Sequence, residues 1–527
     1  MFKQLFRTKS IEQLQASVDA PGHKLKRNLT AFDLALFGLG AIIGAGIFST
    51  IGTAAAGNVM DGRLAAGPGL VVSIILVAFA CLFTALAYAE MASMIPVSGS
   101  AYTYAYATMG ELAAWIIGWD LLLEYAVSNV AVAISWGDYA RSFLSNVFHV
   151  NIPGWLAMDP RTALMYKEGT APLAEKLSAL ASAKMGGPQC ELFANWEALK
   201  DAPTLFGFPL TFNMLAVVIT VVITYLVYRG IKESSRANNW MVILKVAILL
   251  LVIGAGARFV SGENYAPFFP NGWRGVQAGA AIIFFAFIGF DSVSTTAEEC
   301  RDPAKDLPRG ILWSLGVCTI IYALIALVVT GMLKYTQLDG IADPLAYIFE
   351  QKGYAVLAGV ISAGAVIATT AALLVFQIGQ PRIFMAMGRD GLLGPWFGKI
   401  SAKRSTPANA TLLTGLVVAI PAAFLNISEV VELTNIGTLF AFSLVCIGVA
   451  ILRLKRPDVQ RRFRMPLVWL SAPLGILACV WLALGLPGLT WKRFALWLAA
   501  GLVIYAIYGR RKSRLRRECS EPLLGAK

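Results

Sequence analysis

Four side chains that can do chemistry interrupt long apolar runs: Asp120, Glu124, Lys245 and Asp291. Ionisable groups at membrane depth are costly and mark substrate, ion or proton paths. Asp120 and Glu124 lie four apart in Gly118-Trp119-Asp120-Leu121-Leu122-Leu123-Glu124-Tyr125, which places both on one helix face. Two carboxylates that close disfavour joint ionisation, so one of them can carry a proton. Lys245, in Trp240-Met241-Val242-Ile243-Leu244-Lys245-Val246-Ala247-Ile248, reads two ways: a coupling element that gains and loses a proton, or half of an ion pair that pins helices. Glu90, Glu111 and Arg141 fall at span ends, where snorkelling explains them more cheaply. Asn435 and Thr438 are weaker candidates for the lining of a polar path.

These residues need a site, and glycine supplies the pattern for one. Gly38, Gly40, Gly44 and Gly46 put four glycines into nine residues of the first apolar run. Glycine costs up to ~1 kcal/mol against alanine inside a helix, and such backbone survives at membrane depth only where it is buried or lines a cavity. A helix broken here exposes N–H groups that attract a carboxylate. Close small-residue packing through Gly40 and Gly44 is the alternative. A second glycine-bearing centre, Ile283-Phe284-Phe285-Ala286-Phe287-Ile288-Gly289-Phe290-Asp291-Ser292, lies five spans later. Corresponding interruptions in two halves point to the site of an inverted-repeat transporter.

The elements that carry them are membrane spans. Of 527 residues 57% are apolar and only 14% charged, against roughly 25% charged in soluble domains. Twelve stretches approach the ~20 apolar residues that a span needs: 31–56, 69–93, 112–145, 211–229, 236–258, 275–298, 310–333, 354–386, 408–425, 430–452, 467–487 and 492–509. The third and eighth run long, which predicts tilt or projection beyond the bilayer. Of 44 Lys and Arg, 30 fall on the side of the N-terminus and 12 on the other, the remaining two being Arg141 and Lys245. That excess marks both termini as cytoplasmic, and Gly379-Gln380-Pro381-Arg382 with Gly388-Arg389-Asp390-Gly391 reads as a cytoplasmic helix end and loop. Residues 1–30 form a cytoplasmic segment with an amphipathic surface helix over 2–18. Residues 149–209 form the longest outer loop, and 510–527 a basic tail. The net charge of +13 sits in short loops, without the basic-aromatic groove that nucleic acid needs. Seven scattered cysteines without CxxC, and two histidines, speak against a metal cluster or disulfide framework. No short apolar leader with a cleavage site opens the chain.

Several motifs resemble a known family. Gly-Ala-Ile-Ile-Gly-Ala-Gly-Ile-Phe (40–48) resembles the first-span signature of the amino acid–polyamine–organocation (APC) superfamily, and Pro96 to Tyr104 fits the segment before its third span. Phe285 to Ser292, then Ala297 to Pro308, is similar to its bacterial cationic amino acid transporter (CAT) branch, as are Gly379 to Phe384 and Gly388 to Leu393. The likeness covers about residues 2–509. It implies an all-α polytopic membrane protein of LeuT-type fold with 12 transmembrane helices. Spans 1–5 (31–258) and 6–10 (275–452) would be inverted repeats with helices 1 and 6 broken, and spans 11 and 12 (467–509) would be appended. It also implies an amino acid held between the broken helices. The carboxylate would meet backbone N–H groups at Ala45, Gly46 and Ile47, and the amine carbonyls near Ile42, Phe285, Ala286 and Ile288. Gly44, Phe287, Gly289 and Phe290 would form pocket and gate. Lys245 falls where proton-coupled relatives place a lysine in lieu of sodium, and Glu124 matches a third-span glutamate. Position 45 is Ala where relatives often carry a hydroxyl or glycine. Position 120 is Asp where an apolar or amide residue is common, which adds a candidate proton or cation site.

The resulting expectation is a secondary active amino acid permease of the plasma (bacterial inner) membrane. It would couple import of cationic or neutral L-amino acids to protons by alternating access. An exchanger without proton coupling and a non-transporting amino acid sensor are the alternatives; a sensor lacks an output domain, since no soluble segment exceeds about 60 residues. A cationic side chain would seek Asp120, Glu124 or Asp291. HExxH, GxSxG and Walker A motifs are missing, so an enzyme or ATP-driven pump is not expected. No cofactor or metal is expected. The partners are the amino acid, protons and the lipid bilayer, with a small membrane subunit left unassigned.

Overall fold

Thr30 starts the first membrane helix. Its N–H donates to the Asp33 carboxylate at 3.0 Å, and the Asp33 N–H donates to its hydroxyl at 3.4 Å. This reciprocal pair satisfies the orphan donors of a helix start. Helix α1 (Ala31–Ile42) then stops at Ile43, and the chain resumes through a wide turn at Gly46–Thr50 into α2 (Ile51–Ala56). The two halves are bent by 41°. The computed structural model describes residues 7–9, 29–57, 62–95, 97, 100–163, 202–205, 208–229, 235–399, 401 and 406–515. The surface helix expected over 2–18 and most of the outer loop lie outside them; Arg7–Lys9 are not helical.

The other helices are α3 (Leu70–Met94), α4 (Ser100–Thr108), α5 (Glu111–Phe148), α6 (Met214–Arg229), α7 (Ser235–Gly256), α8 (Gly272–Ile283), α9 (Pro303–Met332), α10 (Pro344–Glu350), α11 (Ala355–Arg389), α12 (Ala408–Phe424), α13 (Ile427–Lys455), α14 (Val468–Leu484) and α15 (Gly488–Ile504). Among the described residues eight helical segments are long and apolar enough to cross a bilayer, and the bent pair α1–α2 makes nine. Helices α6, α12 and α14 are shorter but apolar. Together these fall on the twelve apolar runs. Helix α5, with 38 residues, and α11, with 35, are the long ones. At 1.5 Å per residue α5 reaches about 57 Å, well past a ~30 Å hydrocarbon core.

Helix α8 is also interrupted. A tighter turn, Phe284–Phe287, follows it. Ile288 is extended, Gly289 takes φ 120°, and a tight helix then runs over Phe290–Glu299. That φ is left-handed space, where a side chain is strained and glycine is not.

Helix α5 lies along α11 and α13, α9 along α3 and α1, and α6 along α12. Polar side chains inside these helices are satisfied locally. Thr220, Thr224, Thr330 and Thr369 each donate to the carbonyl four residues back at 2.7 Å.

One end of the bundle is closed by polar clamps. Glu90 is fully buried. It accepts from Arg453 through two bonds of 2.7 Å and from the Met465 N–H at 2.7 Å, with Arg461 at 3.2 Å. Glu111 accepts from Tyr505 at 3.0 Å and from Ser513 at 2.5 Å. Both glutamates correct the snorkelling expectation: they are buried because donors from distant helices reach them. Asp390 accepts from Lys9 at 2.7 Å and Tyr102 at 2.6 Å, and its carbonyl from the Arg514 N–H at 3.0 Å. The described residues nearest both chain ends therefore meet at one end of the bundle.

Candidate functional site

The two breaks touch. A Cβ placed on Gly46 would lie 2.7 Å from the Ala286 nitrogen, and one on Gly289 would lie 2.8 Å from the Ala41 carbonyl oxygen. Glycine is therefore required twice over, for irregular backbone and for the crossing of the interrupted helices. Ile42, Ala45, Ile47, Phe285, Ala286, Phe287, Ile288 and Phe290 surround this crossing, all buried. Gly44 faces elsewhere: its Cβ would make ordinary contact with Ala372 of α11 at 3.5 Å.

Each half-helix end shows how its orphan groups are met. The turn opening at Gly46 has no side-chain cap from Ala45. At the C-terminal turn of α1 the Lys245 ammonium donates to the Gly40 carbonyl at 2.9 Å, and the Tyr322 hydroxyl to the Ile42 carbonyl at 3.1 Å. Lys245 is only 1% exposed. A cation there faces the negative end of the helix dipole. The equivalent turn of α8 is met by Asn435, whose amide donates to the carbonyls of Ala281 at 2.7 Å and Ile282 at 3.3 Å. Beyond the first break, Tyr139 donates to the Phe48 carbonyl at 2.6 Å, and the hydroxyls of Ser49 and Ser135 pair at 2.5 Å.

The acids separate into two places. Glu124 and Asp291 line a narrow cavity beside the crossing with Tyr125, Ile288, Gly289 and Phe376. Thr438 lies next to Glu124. Asp120 does not line that cavity. One turn along α5, it is fully buried against α13, where a Cβ on Gly437 would come 2.8 Å from its Oδ1. Among the described residues no group of three His, Cys, Asp or Glu could hold a metal ion.

A second cavity lies at the opposite end from the clamps, lined by Ser49, Thr50 and Thr53 of the first broken helix, by Arg63, and by Ile427 and Ser428 of α13. Arg63 pairs with Glu432 at 2.7 Å, and Thr490 donates to the same carboxylate at 2.6 Å. Glu429 beside them is paired with Arg493 at 2.8 Å and with Arg161. Sequence reading missed Tyr322, Tyr139 and the Arg63–Glu432 pair. The tyrosines carried a faint signal, a polar tip inside an apolar run. The ion pair carried none, because its halves lie hundreds of positions apart.

Two interrupted helices crossing inside an apolar bundle, with a lysine on one broken end and acids beside the gap, define a multi-pass helical permease. The chain belongs to the amino acid permease family, whose profile matches residues 29–507. It is 44% identical to a branched-chain amino acid permease of Bacillus subtilis over 514 residues, 97% of this chain and 99% of that one. It is 40% identical to a methylthioribose transporter of the same organism, with 97% and 99% covered. A vacuolar cationic amino acid transporter of Arabidopsis thaliana is 35% identical, with 87% of this chain and 64% of that one covered. It is a transporter, not an enzyme.

Proposed function

We propose that this chain imports amino acids with protons across a bacterial inner membrane, its clamped end and both termini in the cytoplasm. The lysine-rich side of the charge count supports that orientation. The substrate sits between the breaks, its carboxylate on the N–H groups of Ala45, Gly46 and Ile47 and its amine toward the carbonyls of Ile42, Phe285, Ala286 and Ile288. Ile42 already accepts from Tyr322, which leaves its oxygen a second lone pair. Spans 1–5 and 6–10 are read as the inverted repeats that rock about this point.

The observation that carries proton coupling is the Lys245–Gly40 bond. Only the ammonium stabilises the α1 end electrostatically, so the protonation of Lys245 and the geometry of the break are linked. Glu124 and Asp291 supply the acids beside it.

Relatives of similar identity carry names with different substrates, so the cavity walls decide the cargo. Ala41, Ile288, Ala372, Val375 and Phe376 are apolar and favour a branched aliphatic side chain. Glu124 and Asp291 favour a second reading, a cationic side chain. The test is uptake of labelled leucine, alanine, lysine and arginine into proteoliposomes with an imposed inward proton gradient and the membrane potential clamped at zero. Accumulation driven by the gradient supports the proposal, and the preferred amino acid fixes the pocket. Uptake that ignores the gradient but follows trapped unlabelled amino acid makes the protein an exchanger and leaves Lys245 a structural cap.

A further inference from the structure

Asp120 is the buried ionisable group that the reading above leaves unused. It is 0% exposed, and neither carboxyl oxygen has a hydrogen-bond partner. An unpaired carboxylate in such a place costs several kcal/mol or more, whereas a neutral acid is tolerated. Against it lie Gly437 of α13, whose Cβ would come 2.8 Å from Oδ1, and Phe494 of α15 beside that glycine. The titratable group next to it is Glu124, four residues on, which also feels Asp291. Other charges on the packed helices include Glu432, paired with Arg63, Arg493 with Glu429 and Arg453 with Glu90, and Arg382 of α11, which acts on Tyr125 beside Glu124.

We propose that Asp120 is a second proton-carrying carboxyl, a relay between Glu124 in the cavity and the clamped end of the bundle. Residues four apart on a helix have Cβ atoms about 5–6 Å apart, a gap that one water bridges. A proton arriving at Glu124 passes to Asp120, whose own proton leaves toward the clamped end when that end opens. Asp120 first releases its proton toward the clamped end and becomes the carboxylate. Glu124 then reprotonates it and takes over the negative charge until the next proton enters the cavity, so the pair ends each cycle with the protons it began with. Gly437 is what makes room for the acid, since any side chain there would displace the carboxyl.

The inference rests on proton coupling, and the experiment separates the two. Wild type, the isosteric Asp120→Asn variant and the longer but acid-retaining Asp120→Glu variant are compared in proteoliposomes for pH-driven accumulation, for counterflow exchange at equal pH, and for the pH profile of each. Asp120→Asn is expected to lose tenfold or more in pH-driven accumulation and far less in counterflow, with Asp120→Glu restoring most of it. Infrared difference spectra recorded on substrate addition should show a protonated-carboxyl band that disappears in Asp120→Asn. If wild type accumulates with the gradient and Asp120→Asn matches it in extent and pH profile, with the band retained, the relay is overturned and the coupling stands. If wild type itself ignores the gradient, the coupling falls and the relay with it.

Discussion

At the scale of single residues, Lys245 is worth most to the proposed mechanism because its ammonium bonds a carbonyl at the end of a broken helix. Replacing it with alanine leaves the α1 end without its cation and empties a buried volume. Removing one partner of a buried hydrogen bond costs about 1–3 kcal/mol, so the variant should fold but loosen the break. It is expected to lose concentrative uptake under a proton gradient while keeping some exchange. Full pH-driven accumulation by Lys245→Ala, measured in the same vesicles, would remove lysine from the coupling. Gly46 makes a different claim. A leucine there must push its Cβ into the Ala286 backbone, which separates the two breaks. Amino acid affinity, measured by equilibrium binding in detergent, should fall below detection. Unchanged affinity would show that the carboxylate site lies elsewhere. Both residues were legible in the sequence, since a lysine in an apolar run and four glycines in nine positions need no partner to stand out.

At the scale of elements, the breaks were legible and the clamps were not. Gly289 with its φ of 120° is a local event, and local events leave local signatures. Glu90 and Arg453 are 363 positions apart, and a glutamate near a span end looks the same whether it snorkels or is buried. Asp120 was legible as an acid but not in its direction, which only the packing of α5 on α13 decides. The clamp can be tested by breaking it on one side. Glu90→Ala leaves Arg453 and Arg461 with backbone carbonyls but without their carboxylate, and breaking a buried pair this way costs up to about 3–5 kcal/mol. The midpoint of thermal unfolding in detergent should drop by several degrees, and removing Arg453 as well should recover part of the loss. A single mutant as stable as wild type would refute a structural role. A second element, the link between Leu29 and Cys300, holds the start of α1 beside the end of the Phe290–Glu299 segment through two backbone bonds of 3.0 Å. Burial, with the carboxylates of Asp306 and Asp302 nearby, pushes the Cys300 thiol up to about 11. The thiol thus stays neutral at pH 8, and the stability it contributes is present below its ordinary value near 9.0 and lost as pH rises through about 11. In a variant whose other cysteines are replaced, maleimide labelling of Cys300 at pH 8 should be slow without substrate and accelerate during turnover. Fast labelling at rest would mean that the link is open.

At the scale of the whole molecule, polar pairs tie the helices together at both ends. Glu90, Glu111 and Asp390 make them at one end, and Arg63–Glu432 at the other, where Arg63 also lines the cavity beside Thr53. Alternating access needs each closure strong enough to hold and weak enough to yield, so the closures set which state is populated. Arg63 and Glu432 are only 11% and 5% exposed, which makes their pair far less screened than one on the surface. Neutralising one partner in Glu432→Gln removes the charge attraction while the amide keeps a bond to Thr490 within reach. Every 1.4 kcal/mol taken from the closure is about a tenfold change in population. A Thr53→Cys reporter on the cavity wall should therefore react with an impermeant maleimide at least about tenfold faster in the Glu432→Gln background. Clamps at the other end should hold the opposite side shut at the same time, so substrate exchange would slow rather than leak. Equal labelling rates in the two backgrounds would mean that Arg63–Glu432 braces the helix ends without gating them. The weight of the closed state would then fall on the crossing of the breaks, where Gly46 meets Ala286.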